Sequence, residues 1–209
     1  MEYAVEKDSQ EKTTYTVEAY FALEAAAEYR SEFHNGIIKM MAGASKPHEL
    51  ICFNVYALIH AATKGKNCRG YGSNMKLWIE SRKKVYYPDA MVICGKSQYK
   101  TGTNAALTNP VCIIEVLSES TEHLDRGEKF IDYQQIPGFR EYMLISQQEP
   151  AVETFFRQEE KTWLYRRFTD PGEQISIHSI GATICLGDLY ENVEFDLPEL
   201  QAGSPDAPV

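Results

Sequence analysis

Two apolar runs that have the length of buried strands each carry one carboxylate, one within its run and the other at its head. Residues 111–117 read VCIIEVL, and their one charged member is Glu115. Asp89 stands at the head of the second run, which reads AMVIC over residues 90–94. Short runs rich in β-branched residues are typical of strands covered on both faces. An ionised carboxylate is costly to bury in such a strand unless a cation meets it.

Two such acids on strands that lie side by side predict one shared cation. Carboxylate oxygens are the hard ligands that Mg²⁺ accepts, and Mn²⁺ is its usual substitute. The alternative is that Asp89 and Glu115 each face solvent at a strand end or pair with an Arg or Lys. For either acid taken alone, this alternative is the commoner situation.

The segment after Glu115 predicts a polar loop followed by a helix over residues 123–136, which ends before Pro137. Residues four apart share one face of a helix. The face in question carries Thr121, Asp125, Lys129 and Tyr133. Lys129 is either a catalytic ammonium brought to the cation or an exposed lysine paired with Asp125, and the pattern alone leaves both open.

The order and spacing of these motifs resemble the Uma-type family of restriction endonucleases, a bacterial group within the PD-(D/E)xK nuclease superfamily. The resemblance covers roughly residues 15–200. It is carried by Glu32-x-x-x-Gly36 with Met40, Pro47-His48, Tyr87-Pro88-Asp89, Ile114-Glu115-Val116-Leu117-Ser118-x-Ser120-Thr121, Asp125-Arg126-Gly127-Glu128-Lys129 with Tyr133, and Gly138-x-Arg140-Glu141-Tyr142.

The resemblance implies metal-dependent hydrolysis of phosphodiester bonds in nucleic acid, with DNA as the expected substrate. Asp89 and Glu115, together with the main-chain carbonyl of Val116, would hold Mg²⁺. The superfamily's Glu-x-Lys pattern would place its lysine at Leu117, which is apolar here. In the Uma-type group the lysine is relocated to the following helix, where Lys129 matches.

Two further residues enter through the same resemblance. Glu32 would lie by the metal as an extra ligand or a water-orienting group; otherwise it is an ordinary surface acid at a helix end. His48 would contact metal-bound water or phosphate; otherwise it is a capping histidine at the start of a helix. The histidines at 34, 60, 123 and 178 show no triad or ligand spacing.

The overall charge of the chain fits nucleic-acid binding poorly. The net charge is −9 and the pI near 5.1, so the basic footprint of a nucleic-acid binder is missing. The cluster at residues 82–84 could face a phosphate backbone, although such a cluster is more often a solvated hairpin turn. Two other hypotheses therefore stay open: a catalytically silent nucleic-acid-binding module, and a protein-interaction module whose acids are structural.

The five cysteines show no CxxC pair, and their odd number without metal spacing predicts reduced, largely buried thiols, not a disulfide framework or a zinc site. Together with a polar, acidic N-terminal stretch, this predicts a cytoplasmic protein. A homodimer is expected because cleavage of both strands of a duplex needs two sites.

The element pattern predicts an α/β (α+β) fold with a mixed sheet flanked by helices, which the resemblance specifies as restriction-endonuclease-like. Strands are expected near residues 70–80, 86–94, 111–117 and 140–146, followed by an antiparallel C-terminal meander. The expected organisation is a flexible N terminus over 1–14, a single domain over 15–200, and a disordered tail over 201–209.

Overall fold

The computed structural model describes residues 13–195. The N-terminal segment 1–14, apart from its last two residues, and the tail 201–209 lie outside the described residues, as does the boundary near residue 200. Within the described residues, no helix is long and apolar enough to cross a bilayer. The strands, in chain order, are β1 (Ser31–His34), β2 (Ile37–Met40), β3 (Cys68–Gly72), β4 (Lys76–Ile79), β5 (Lys84–Tyr86), β6 (Ala90–Cys94), β7 (Ala106–Leu107), β8 (Cys112–Leu117), β9 (Glu141–Ser146), β10 (Val152–Glu159), β11 (Thr162–Phe168), β12 (Gln174–Ile177) and β13 (Ala182–Cys185).

Two helices have side-chain caps that fix where they begin. The hydroxyl of Thr16 accepts the N–H of Ala19 at the start of the first helix, and that of Ser45 accepts the N–H of His48 at the start of the second. A π turn (Asp125–Lys129) joins two short helices, so the chain is helical from 122 to 133. The helices are α1 (Val17–Ala26), α2 (Lys46–Thr63), α3 (Glu122–Leu124), α4 (Phe130–Tyr133) and α5 (Leu186–Leu189).

The strands form two larger sheets and one hairpin. The six-stranded sheet has the order β11-β10-β9-β8-β6-β3 and is mixed, because β8 and β9 are parallel while the other pairs are antiparallel. The five-stranded sheet has the order β2-β1-β5-β4-β7, and β12 pairs with β13 separately. The β1–β2 hairpin turns at Asn35 and Gly36, both with positive φ, which is the geometry that this dipeptide favours.

Alternate residues of β8 face two different cores. Cys112, Ile114 and Val116 pack in the core beneath α2 and the β12–β13 hairpin. Ile113 and Leu117 pack in the second core, which also contains side chains of β4, β5 and the helical segment around Tyr133. The centre of the six-stranded sheet is therefore covered on both faces, as the unbroken apolar runs predicted.

The strand predicted over residues 70–80 is wrong as a single element, because β3 and β4 belong to different sheets. Gly70 and Gly72 lie directly against α2: a Cβ at Gly70 would approach the Ile59 side chain to 2.7 Å. The chain then turns, with the N–H of Met75 donating to the carbonyl of Gly72, and enters the second sheet. The strand predicted over residues 86–94 is likewise divided, and Pro88 lies in the break between β5 and β6.

The prediction of reduced cysteines is wrong for one pair. Cys68 on β3 and Cys94 on β6 face each other in register and form a disulfide. They are 26 residues apart in sequence, so only the strand pairing brings them together. Cys52, Cys112 and Cys185 are free, and the first two are buried as expected.

Candidate active site

Asp89 and Glu115 lie together at the start of β6, where β8 continues without it as a partner. The register between these strands stops at the pair Ala90↔Ile114. Beyond it, Asp89 Oδ2 accepts the N–H of Val116 at 2.8 Å, and the Asp89 N–H donates to Glu115 Oε2 at 3.1 Å. The Asp89 carboxylate is thus held by the backbone N–H that follows Glu115, and the Glu115 carboxylate by the backbone N–H of Asp89. Both carboxylates are therefore fixed where the pairing of β6 with β8 stops.

The Glu115 carboxylate is buried and receives side-chain donors from the helical segment. Its Oε1 accepts from the Tyr133 hydroxyl at 2.7 Å and from Lys129 Nζ at 3.2 Å. Burial raises the pKa of Glu115; the ammonium of Lys129 opposes this, while the charges of Asp125 and Asp89 add to it. The metal-free carboxyl therefore keeps its proton to higher pH than an ordinary glutamate.

Lys129 is buried between two carboxylates and is not an exposed partner of Asp125. It is 9% exposed, and its Nζ lies 2.7 Å from Asp125 Oδ1 as well as near Glu115. The other Asp125 oxygen accepts from the Thr121 hydroxyl at 2.9 Å. These contacts hold the ammonium of Lys129 beside Glu115. Lys129 lies within a π turn, which often occurs at functional sites.

The charges at this cluster do not balance. Burial would lower the pKa of Lys129, but the charges of Glu115, Asp125 and, more weakly, Glu32 raise it, so the ammonium persists. The raised pKa of Lys129 favours its charged form, whereas the raised pKa of Glu115, its partner in the ion pair, favours the neutral form. Asp125 and Glu115 both contact this single ammonium, and Asp89 lies beside Glu115, so the acids outnumber the ammonium. A site with more acids than cations is suited to bind a metal ion.

His48 lies in the first turn of α2 and reaches the same carboxylate. Its Nε2 is 3.4 Å from Asp89 Oδ2. Burial would lower the pKa of His48, but the hydrogen bond and charge of Asp89, with Glu49 and Glu115, raise it overall. On its other side, Nδ1 lies 3.6 Å from the Sγ of Cys52. Sequence reasoning missed Cys52; its only signal was the spacing of four residues from His48 on a helix.

Glu32 approaches the cluster from the five-stranded sheet. Its carboxylate contacts the ring of His34 at 2.9 Å, and its charge contributes to the raised pKa values of Lys129 and Tyr133. Side chains alternate along a strand, so Glu32 and His34, two residues apart on β1, lie on one face. Among the described residues, the Nδ1 atom of His34 is buried without a hydrogen-bond partner.

The donor atoms of the site suit a hard divalent cation. Asp89 and Glu115 supply carboxylate oxygens. In an extended strand the N–H and C=O of one residue point to the same side. The Val116 carbonyl therefore points to the side on which the Val116 N–H donates to Asp89. β6 does not pair with β8 at Val116, because their register has already ended. These oxygen ligands fit Mg²⁺.

The basic cluster at residues 82–84 forms a hairpin turn, and two of its members are already paired. Lys84 Nζ lies 2.6 Å from Asp132 Oδ2, and Arg82 Nε lies 3.0 Å from the other oxygen of Asp132. Lys83 has a positive φ at the end of the 3₁₀ turn that connects β4 to β5. This cluster therefore offers little free positive charge to a phosphate backbone.

Comparison with known proteins places this site in a family context. The Uma2 family model, described as "Putative restriction endonuclease", matches residues 17–186. The chain belongs to this family. The Uma2 model spans both sheets, α2 and the helical segment that carries Lys129.

Similar proteins support the assignment. The uncharacterized protein sll1609 of Synechocystis is 36% identical over 149 residues, which cover 71% of this chain and 84% of that protein. The uncharacterized protein slr1290 of the same organism is 28% identical over 178 residues, covering 85% and 92%. A crystal structure from Anabaena variabilis, titled as a putative nuclease belonging to DUF820, shares the fold with a TM-score of 0.69, 18% identity, and coverage of 85% and 98%. The predicted restriction-endonuclease-like fold is confirmed.

Proposed function

We propose that this Uma2 protein is a Mg²⁺-dependent endonuclease that hydrolyses phosphodiester bonds in DNA, with Mn²⁺ able to replace Mg²⁺. The observation that carries the proposal is the pairing of Asp89 and Glu115 beside the buried ammonium of Lys129. An acid pair can hold a metal ion that activates water, and a nearby ammonium can stabilise the charge that develops on the phosphate. The family assignment supports the nuclease class.

Each residue has a role that follows from its contacts. Asp89, Glu115 and the Val116 carbonyl would hold the ion, which when bound lowers the pKa of water and neutralises charge at the scissile phosphate. Lys129 orients the attacking water or stabilises the phosphate oxyanion. Asp125 holds the ammonium of Lys129 in place through its 2.7 Å contact.

Two neighbouring side chains act on this core. His48, through its contact with Asp89, is placed to meet metal-bound water or phosphate. Glu32, held by the ring of His34, contributes to the raised pKa of Lys129 and would serve as an extra ligand or a water-orienting group. Both roles are less direct than those of the two strand acids.

The test is a nicking assay on supercoiled plasmid with Mg²⁺, Mn²⁺ or EDTA. Asp89→Asn and Glu115→Gln each remove a ligand charge with little change of shape, and both are expected to abolish cleavage. Glu119→Gln is the matched control, because Glu119 is an exposed acid four residues after Glu115. A wild type that leaves plasmid, single-stranded DNA and RNA intact with every metal would refute the proposed activity.

We also propose that the protein acts as a homodimer in the cytoplasm, because two sites are needed to cut both strands of a duplex. Light scattering with and without DNA measures the copy number. The cytoplasmic location rests on the DNA substrate, since the thiol argument failed at Cys68 and Cys94.

A second candidate is a catalytically silent module that retains the nuclease fold. It is favoured by the net charge of −9 and by the pairing of Lys84 and Arg82 with Asp132. Binding of DNA that is equally tight in EDTA and in Mg²⁺, without cleavage, would support it over the enzyme. Metal binding without any affinity for nucleic acid would instead favour a protein-interaction module.

A further inference from the structure

His48, Cys52 and Asp89 form a cluster of three different metal-ligating side chains. His48 and Cys52 are one turn apart on α2 and point to the same side, towards the start of β6. The Cys52 Sγ lies 3.6 Å from His48 Nδ1, and Asp89 Oδ2 lies 3.4 Å from His48 Nε2. One potential ligand atom from each residue can be chosen so that all three lie within 4.8 Å of one another.

We propose that His48, Cys52 and Asp89 bind a thiophilic divalent transition-metal ion of the Zn²⁺ class. Such ions take nitrogen, sulfur and carboxylate ligands with tetrahedral geometry. For Zn–N and Zn–S bonds of roughly 2.0 and 2.3 Å, a tetrahedral angle separates nitrogen from sulfur by about 3.5 Å. The separation of 3.6 Å between Cys52 Sγ and His48 Nδ1 matches this value when Nδ1 is the ligand. Asp89 contacts the other ring nitrogen, so its carboxylate must leave Nε2 to reach an ion bound at Nδ1. Three protein ligands leave the fourth position to water or substrate.

Two simpler explanations of the cluster account for less of the geometry. A buried cysteine often serves only as a small apolar side chain, but Cys52 places its sulfur against an imidazole and near a carboxylate. The order Cys52, His48, Asp89 also resembles a nucleophilic triad. However, burial and the neighbouring acids raise the pKa of Cys52, and the residue is only 4% exposed, so little thiolate could meet a substrate.

Ion binding changes the protonation of this thiol. The Cys52 Sγ–H bond breaks as the sulfur–metal bond forms, and the proton leaves to solvent. Mg²⁺ does not favour a thiolate ligand, so Cys52 distinguishes this site from the oxygen site formed by Asp89 and Glu115. Because both sites use Asp89, a thiophilic ion and Mg²⁺ compete for one carboxylate. Binding of the thiophilic ion does not depend on the proposed nuclease activity.

The test is a Co²⁺ titration of the full chain, with the Cys68–Cys94 disulfide intact, followed by absorbance. The wild type is expected to show visible bands of tetrahedral intensity and a near-ultraviolet thiolate-to-cobalt charge-transfer band. Cys52→Ser should lose the charge-transfer band. The matched control Cys185→Ser removes a free thiol outside the cluster and should keep it.

Two variants of the other ligands, His48→Gln and Asp89→Asn, keep the test decisive if Cys52→Ser fails to fold. His48→Gln should weaken Co²⁺ binding at least tenfold, and so should Asp89→Asn, with folding checked by circular dichroism. Glu115→Gln should keep the charge-transfer band even where plasmid cleavage is lost, which separates failure of this site from failure of the nuclease proposal. A wild type without the band, or a folded Cys52→Ser or His48→Gln variant that binds Co²⁺ as the wild type does, overturns the proposal.

Discussion

Replacing Lys129 by Met tests whether its ammonium neutralises buried acids. The substitution keeps much of the stem and removes the charge. Asp125 and Glu115 are 1% and 2% exposed, and Lys129 lies 2.7 and 3.2 Å from their oxygens. Removing one partner of a buried ion pair typically costs about 3–5 kcal/mol. For a chain of this size, each kcal/mol lowers the melting temperature by roughly 2–4 °C, so we expect a drop of about 10 °C at pH 8.

The sign of the pH dependence follows from the carboxyls left behind. Burial raises the folded-state pKa of Glu115, and the ammonium of Lys129 opposes this, so without the ammonium the pKa of Glu115 rises further above its unfolded value. The loss of stability is then small at acid pH, where both states are protonated, and grows as pH rises through the neutral range. Thermal melts of metal-free protein at several pH values measure this trend.

The matched control for this substitution is Lys46→Met. Lys46 contacts Glu194 at 3.2 Å, but both side chains are at least 75% exposed. Such a pair contributes under about 1 kcal/mol, so this variant should melt within roughly 3 °C of the wild type. A Lys129→Met protein that behaves like the control at pH 8 would show that the ammonium does not neutralise the buried acids.

Three other outcomes are expected. Metal-free wild type should lose stability as pH rises from about 5 towards 9, because burial raises the pKa of Glu115; melts of Glu115→Gln should show a flatter profile. Asp132→Asn should cost about 3 kcal/mol in urea unfolding, since it removes the buried partner of Lys84; a cost under about 1 kcal/mol would contradict this. Gly70→Ala should destabilise the protein by about 1–3 kcal/mol, because the added Cβ would lie 2.7 Å from the Ile59 side chain. An unchanged urea midpoint would show that α2 can move to accommodate the Cβ without cost.

Some elements of the fold depend on local signals that can be read in the sequence. Thr16 caps α1, and the dipeptide at 35–36 closes the first hairpin. The apolar runs of β6 and β8 are continuous enough to indicate burial on both faces. Because Glu115 interrupts one run and Asp89 stands at the head of the other, a shared site could be proposed from the sequence on the condition that the two strands lie side by side.

The parts that failed depend on contacts between distant segments. Nothing local shows that the chain leaves one sheet for another after Gly72, since the cause is the packing of Gly70 and Gly72 on α2. The Cys68–Cys94 pair likewise requires the register of β3 on β6. The Cys52 sulfur joins the site only because α2 crosses the start of β6, which the sequence of α2 does not specify.

The position of the site follows from where strand pairing ends. Pro88 has no N–H and cannot extend the ladder of β6, so β8 continues past Ile114 without that neighbour. The Asp89 side chain then accepts the N–H of Val116, which fixes a carboxylate at the point where the pairing of β6 with β8 ends. A chain selected only for stability would have paired backbone and apolar side chains at this point. Here Asp125 and Glu115 contact one buried ammonium and Asp89 lies beside Glu115, and a cation bound by Asp89 and Glu115 relieves their repulsion. The same surplus charge that makes the metal-free fold sensitive to pH therefore provides the driving force for metal binding.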